Sequence, residues 1–124
     1  MHRPIIITAP AYDHRSAGIR VLHTLCNELN LCGRPCYLVF YRFRQEGGAD
    51  YYTTDAADHY SPDLRQINRL PETTNINELR HFIDEAIVIY PEVLRINPLE
   101  AKRVVRFILN TPSYPMYEGP DDLV

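Results

Sequence analysis

Residues 5–8 have the sequence Ile-Ile-Ile-Thr, and Ala9-Pro10 follow directly. All four residues are β-branched, and no polar residue alternates with them. Such a continuous run is typical of a strand that is buried on both faces, which is the usual environment of a central strand in a parallel sheet. The stretch therefore predicts a central parallel strand, and it places the loop that follows at a carboxyl end of the sheet.

The polar loop leads into the longest helical pattern of the chain. Tyr12 to Gly18 have the sequence YDHRSAG, and apolar residues then recur at steps of three and four from Ser16 to Leu31. Gly33 follows, where a left-handed residue often ends a helix. The apolar run Cys36–Tyr41 comes next. The pattern predicts a strand-helix-strand unit with a right-handed crossover.

The rest of the chain predicts further strands and short helices around an insertion. We expect the polar segment 42–73 to be a mostly irregular insertion, because its tyrosines show no steady periodicity. Asn75 and Glu78 have the spacing of a capping box. The remaining predictions are a strand at Ala86–Tyr90, a short helix at Asn97–Lys102 that begins with Asn-Pro, and a strand at Val104–Leu109.

Alternating buried strands and helices predict an α/β fold. We expect a Rossmann-like parallel sheet with helices on both faces and a single domain spanning residues 1–124. A chain of 124 residues is close to the usual size of one domain. In doubly wound sheets, ligands bind at the carboxyl ends of the strands, so the polar loops that leave those ends are the candidate site.

Composition excludes several classes of function. A net charge of −3 disfavours nucleic acid as a partner, and no apolar run approaches the roughly 20 residues that span a bilayer. The amino terminus lacks the features of a signal peptide, so we expect a cytoplasmic protein. The three cysteines indicate reduced thiols, and no Cys/His spacing predicts a metal site.

The loop YDHRSAG permits two interpretations. Helix amino termini attract anions, so Arg15, Ser16 and Asp13 could bind an anionic ligand or a sugar hydroxyl, with Gly18 allowing close approach. In the alternative, Asp13 or Ser16 caps the helix while His14 and Arg15 are solvated. The loop lacks the glycine patterns of nucleotide-binding motifs.

A second candidate lies after the third strand, at Tyr90-Pro91-Glu92. Glu92 could bind hydroxyl groups or act as a general base, or it could be an exposed loop acid. The other histidines, His23 among them, are expected to be surface or packing residues. Arg103 and Arg106 are expected to be solvated or to border the site.

The segment from Tyr90 to Ser113, YPEVLRINPLEAKRVVRFILNTPS, resembles the amino-terminal half of bacterial glycosyltransferases that build surface polysaccharide. The shared features are a Pro-Glu turn, an Asn-Pro-Leu helix start and a Val-Val-Arg strand that leads to Leu-Asn-x-Pro. The first strand-helix-strand unit, from Ile5 to Leu38, is similar as well. Ser113 stands where the pattern has glycine.

The resemblance implies one half of a GT-B fold, in which two Rossmann-like domains face each other across a cleft. It implies transfer of a sugar from a nucleotide-sugar donor to a glycan or lipid-linked acceptor, without a metal or other cofactor. The acceptor would bind this half, and the donor would bind mainly to a carboxyl-terminal domain that residues 1–124 do not include. The chain alone would then be inactive.

The resemblance also implies roles for individual residues. The candidate general bases are Glu92, Asp13 and His14. The candidate substrate-binding residues are Arg15, Ser16, Ala17, Gly18, Pro91 and Asn110. A lipid-linked acceptor would bring the full protein to the inner face of the membrane as a peripheral protein, and an isolated half could form a homodimer.

Two other classes of protein compete with this interpretation. One is a stand-alone Rossmann-like module that binds a partner or small ligand without catalysis. The other is a flavodoxin-like or receiver-like regulator. A receiver is disfavoured because it needs an acidic pair after the first strand and an aspartate after the third, where this chain has Ala9-Pro10 and Pro91-Glu92.

Overall fold

The regular structure of the described residues consists of six strands and two helices. The computed structural model describes residues 3–43, 49–53, 60–61, 64, 68, 70, 76–91, 94, 97–108 and 122–123. The strands are β1 (Ile5–Ala9), β2 (Cys36–Phe43), β3 (Ala49–Thr53), β4 (Ile87–Pro91), β5 (Arg103–Phe107) and β6 (Asp122–Leu123). The helices are α1 (Ala17–Leu31) and α2 (Arg80–Glu85), and a 3-10 helix at Ile76–Leu79 precedes α2.

The six strands form one sheet in the order β3-β2-β1-β4-β5-β6. Strands β2, β1, β4, β5 and β6 are mutually parallel, whereas β3 pairs antiparallel with β2. The chain first moves from β1 to β2 on one side, and later returns to place β4 on the other side of β1. The fold is therefore the predicted Rossmann-like α/β type, with one antiparallel strand added at an edge.

Strand β1 lies in the middle of the sheet, as its sequence predicts. All five of its residues are buried, and it pairs in parallel with both β2 and β4. Ile7 is aligned with Leu38 on one side and with Ile89 on the other. The hydroxyl of Thr8 donates a hydrogen bond of 3.0 Å to the Ile89 carbonyl oxygen, which satisfies the buried polar group of this strand.

Among the described residues, each face of the sheet packs against one helix. Ile5, Ile7 and Ala9 of β1 lie in a core cluster with Leu22 and Cys26 of α1. The intervening Ile6 belongs to the opposite cluster, which contains Ile83 of α2. Because successive side chains of a strand point to opposite faces, β1 contributes to two separate cores. This explains why β1 has no polar face.

Helix α1 begins and ends where the sequence predicts. Ser16 is its amino-terminal cap, and the Ile19 N–H donates to the Ser16 hydroxyl oxygen at 3.3 Å. Gly33 has φ of +83°, and its N–H bonds the Asn30 carbonyl oxygen. A side chain at Gly33 would adopt a conformation that L-residues disfavour, so glycine suits this helix end.

The predicted irregular insertion at 42–73 contains regular structure at its start. Strand β2 continues to Phe43, and β3 pairs antiparallel with it from Ala49 to Thr53. Without β3, β2 would be an edge strand with unpaired backbone groups. The pair Tyr51-Tyr52 has a high strand propensity, but tertiary pairing rather than local periodicity decides the structure here.

The predicted helix at Asn97–Lys102 is wrong, because a turn occupies this segment. The Asn97 carboxamide accepts the Ala101 N–H at 2.9 Å and donates to the Ala101 carbonyl oxygen at 2.7 Å. Glu100 has φ of +50°, which is incompatible with a continuing right-handed helix. An Asn side chain that bonds nearby backbone groups competes with helix formation in this way.

The predictions for the segments on either side of this turn agree more closely with the structure. The stripe Leu79, Phe82 and Ile83 does form the inner face of a short helical segment, with Leu79 and Ile83 buried. Asn75 of the predicted capping box lies outside the described residues, and Leu79 precedes α2 without a side-chain cap. The strand predicted at Val104–Leu109 is present as β5, which spans Arg103–Phe107; Leu109 lies outside the described residues.

The hydroxyl of Tyr90 in β4 bonds to two residues of the turn at 97–102, and the contribution of these bonds to stability can be tested. It donates to the Asn97 Oδ1 at 2.7 Å and accepts the buried Leu99 N–H at 2.9 Å. We expect Tyr90→Phe to lower the free energy of unfolding by about 1–3 kcal/mol, because it leaves the Leu99 N–H without an acceptor. Urea unfolding monitored by circular dichroism measures this.

Tyr37→Phe is the matched control. Within the described part of the chain, the Tyr37 hydroxyl has no hydrogen bond, and its ring packs edge-on against Phe82 at 5.1 Å. We expect its removal to change stability by no more than about 0.5 kcal/mol. Equal losses in the two variants would show that the Tyr90 hydroxyl does not hold the turn.

Candidate functional site

The carboxyl ends of β1 and β4 lie side by side at one edge of the sheet. Ile7 of β1 is aligned with Ile89 of β4, and both strands run in the same direction. The chain departs from β1 into loop 10–16 and from β4 at Pro91. Because the strand order reverses between β1 and β4, this edge is the topological switch point, where doubly wound sheets open a crevice for ligands.

Asp13 and Arg15 form a local ion pair in this loop. The Asp13 carboxylate accepts the Arg15 backbone N–H at 2.9 Å, Nε–H at 3.1 Å and an Nη–H at 3.3 Å. These hydrogen bonds hold the pKa of Asp13 below its usual value and raise that of Arg15. Asp13 is therefore a poorer proton acceptor than an ordinary aspartate, which disfavours it as a general base.

Ser16 acts as a helix cap, in agreement with the structural alternative for this loop. Its hydroxyl oxygen accepts the Ile19 N–H, and its backbone N–H bonds the Asp13 carbonyl oxygen at 3.1 Å. Ala17 and Gly18 form the first turn of α1, where no helical carbonyl precedes their N–H groups. This turn is the part of the loop best suited to contact an anionic or hydroxyl group.

His14 is an exposed residue of the predicted site, as are Arg15 and Ala17. It lies at the tip of the loop, between the two members of the Asp13–Arg15 pair. Imidazole is the commonest general base in enzymes, and the His14 side chain is accessible to solvent. Of the two candidate bases that the structure describes, His14 is thus the better placed.

His23 is a site-supporting residue that the sequence predicted only as a surface or packing residue. It is fully buried in α1, and its Nε2 donates to the Pro10 carbonyl oxygen at 2.9 Å. Its ring packs edge-on against Tyr12, with 5.3 Å between centroids. His23 therefore holds the start of loop 10–16 against the helix. Its spacing of four from Ile19 and three from Cys26 is the sequence signal of this inward direction.

Arg106 is buried rather than solvated, which corrects the expectation for this residue. It is 3% exposed, and an Nη–H donates to the Leu94 carbonyl oxygen at 2.9 Å. Its guanidinium lies over the Tyr90 ring, 5.0 Å from the centroid. The burial alternation of β5 explains this, because Val104 and Arg106 face the same core while Arg103 and Val105 do not.

Arg106 brings a buried positive charge close to the end of β4. Tyr90 and Arg106 are aligned neighbours in the two strands, and Pro91, which is buried, follows Tyr90. Of the other predicted site residues, Glu92 and Asn110 lie outside the described residues. Their roles stay predictions, and the described site consists of loop 10–16, the first turn of α1 and the Tyr90-Pro91 strand end.

The cysteines are free thiols. Cys26 and Cys36 are buried, whereas Cys32 is exposed. A hydrogen bond with the Cys36 thiol, reinforced by burial, raises the pKa of Cys26, so this thiol is a weak nucleophile. In the described ranges, no group of three or more His, Cys, Asp or Glu residues could hold a metal ion.

Neither described helix combines the length and hydrophobicity that crossing a bilayer requires. Comparisons with protein-family models, curated proteins and solved structures find no match to the chain. The functional argument therefore depends on the geometry of this edge and on the sequence motifs around it.

The ion pair in the loop can be tested by titration. We expect Arg15→Ala to raise the pKa of Asp13, because it removes the side-chain hydrogen bonds that favour the carboxylate. The backbone N–H of residue 15 remains, so part of the lowering should persist. Carbon-detected NMR of the Asp13 carboxyl group measures this shift.

His14→Ala provides the comparison for this titration. Its charge is the smallest of the causes that lower the pKa of Asp13, so its removal should raise that pKa less than Arg15→Ala does. An Asp13 pKa that is unchanged in Arg15→Ala would contradict the pairing.

The capping role of Ser16 gives a separate prediction. Ser16→Ala should lower the free energy of unfolding by about 0.5–2 kcal/mol, because the Ile19 N–H loses its acceptor. Ser16→Asp should preserve stability, since aspartate is also a good cap. Thermal and urea unfolding of the two variants decide the matter, and equal stability of Ser16→Ala and the parent would exclude a capping role.

Proposed function

We propose that the chain is the acceptor-side, amino-terminal half of a GT-B-type glycosyltransferase of bacterial surface polysaccharide synthesis. In this proposal the enzyme transfers a sugar from a nucleotide-sugar donor to a glycan or lipid-linked acceptor. The nucleotide sugar binds mainly to a second, carboxyl-terminal domain. Residues 1–124 then supply one wall of the cleft and have little or no transferase activity alone.

The observation that carries the proposal is the convergence of the two resembling segments at one edge. The first resembling segment continues from β1 to Ser16-Ala17-Gly18. The second begins with Tyr90-Pro91, the last two residues of β4. These strands are adjacent and parallel, so motifs that are about 75 residues apart in the sequence adjoin the switch point. A loop with an exposed imidazole and a helix amino terminus there suits a hydroxylated or anionic ligand.

The proposed chemistry requires a base for the acceptor hydroxyl and stabilisation of the leaving diphosphate. His14 and Glu92 remain the candidates for the base, since the Arg15 guanidinium weakens Asp13 as a proton acceptor. The first-turn N–H groups of α1, at Ala17 and Gly18, can donate to ligand oxygens, with the positive end of the helix dipole behind them. Helix dipoles and basic side chains can stabilise a diphosphate without a metal ion.

A second candidate function is a Rossmann-like binding module without catalysis. The observation that favours it is the internal pairing of the loop. Asp13, Arg15 and Ser16 all bond to groups of the same loop or helix. Such an internally paired loop can bind a ligand through its backbone without any residue that takes part in proton transfer.

The transfer reaction itself separates these two functions. The assay uses a polypeptide in which this chain precedes a nucleotide-sugar-binding domain, and it measures nucleoside diphosphate release with a glycan or lipid-linked acceptor. We expect Asp13→Asn to keep near-parental turnover, because Asp13 is not the base. Loss of the true base should lower kcat by about 10²–10⁴-fold, so either His14→Ala or Glu92→Gln should show that loss.

Binding of the donor gives the control for this assay. Each variant must retain the parental KM for the donor, since the donor binds elsewhere in this proposal. Near-parental turnover in all three variants would overturn the assignment of the base to this edge. Binding of the acceptor with no transfer to it, from any nucleotide sugar, would favour the binding module instead.

A further inference from the structure

An apolar groove runs along α1 from its first residue, Ala17, to Glu28 in its last third. It has a volume of about 500 Å³ and lies between the helix and the end of β5. Its lining includes the apolar residues Ala17, Val21, Leu25 and Phe107 together with Thr24. Phe107 is only half-buried in the core beneath α1, so the groove continues the hydrophobic core to the surface.

The outer face of α1 has the pattern of a helix that packs against another helix. Ala17, Val21, Thr24, Glu28 and Leu31 follow each other at steps of four, three, four and three residues. This spacing keeps residues on one stripe of a helix. Val21 is 42% exposed and Leu31 is 58% exposed, so two large apolar side chains of the stripe lie in water. Ala17 and Thr24 are small and permit a close approach.

Two residues of opposite charge lie along this stripe, Arg20 beside it and Glu28 within it. Arg20 and Glu28 both line the groove and are exposed. In the described part of the chain, neither has an ion pair or a side-chain hydrogen bond. They are eight residues apart, which corresponds to about 12 Å along a helix, and Thr24 lies midway between them.

We propose that a second copy of this chain occupies the groove, with the two α1 helices antiparallel across a two-fold axis at Thr24. A two-fold axis there aligns residues whose numbers sum to 48. Arg20 of each copy then lies beside Glu28 of the other, and Leu31 of each copy lies over Ala17 of the other. Symmetric association requires this kind of self-complementary surface.

The charge pattern selects a second copy over an unrelated helix. A partner of one dominant sign would attract Arg20 and repel Glu28, or the reverse. An antiparallel copy satisfies both charges at once and covers Val21 and Leu31 of each helix. The proposal does not depend on the glycosyltransferase assignment, because it is argued from the α1 stripe alone; the stripe meets the candidate site at Ala17, where the helix begins.

Charge reversal with compensation tests the interface. Sedimentation velocity over a concentration series should show a dimer of the parent chain. Arg20→Glu places two acids together, and Glu28→Arg places two bases together, so each variant should raise the dimer dissociation constant by about tenfold or more. The double variant Arg20→Glu/Glu28→Arg restores opposite charges and should return to about the parental value.

A mixture of the two single variants gives the most specific test of the interface. Arg20→Glu carries acids at both positions and Glu28→Arg carries bases at both, so together they should form a heterodimer while each alone is largely monomeric. Lys102→Glu makes the same change of net charge as Arg20→Glu, but outside the groove, and it should leave dimerisation unchanged. Circular dichroism of each variant checks that α1 remains folded.

Three results would overturn the proposal. One is a monomeric parent at the highest soluble concentration. Another is a dimer that both single reversals leave intact, and the third is failure of the double variant and of the mixture to recover association.

Discussion

The structure depends on the pairing of β1 with a parallel strand on each side. This arrangement removes all five residues of β1 from water and joins its backbone to both β2 and β4. It also separates the two cores, since Ile6 faces α2 and its neighbours Ile5 and Ile7 face α1. A polar substitution at Ile5, Ile6 or Ile7 would therefore bury a polar side chain in one of the two cores.

The same pairing determines where the candidate site lies. The crossover through α1 leaves β1 toward β2, and the later return of the chain places β4 on the opposite side, so loop 10–16 and the Tyr90-Pro91 end adjoin. Buried polar groups then hold the segments that follow β1 and β4 in place. His23 anchors the loop at Pro10, and the Tyr90 hydroxyl and Arg106 fasten the segment that follows β4. On the outer face of α1, Val21 and Leu31 are left exposed.

Local patterns predicted much of this fold, and long-range contacts decided the rest. The β-branched run of β1, the Ser16 cap and Gly33 act through neighbouring residues, so the sequence predicts them. The carboxamide of Asn97 could begin a helix or close a turn, and its contacts with Ala101 and the distant Tyr90 hydroxyl favour the turn. In the candidate site, the ion pair with Arg15 makes Asp13 a poorer proton acceptor. The spacing of the two residues in the sequence does not predict this pair.

The central claim is that ligands bind at the switch point between β1 and β4. The most direct measurement is an NMR titration of the ¹⁵N-labelled chain with short acceptor oligosaccharides, and separately with nucleotide sugars. The account predicts that an oligosaccharide shifts the amide signals of residues 11–18 and Tyr90, with weaker effects from nucleotide sugars. Shifts confined to the opposite edge of the sheet, around Arg3 and Glu85, would contradict it.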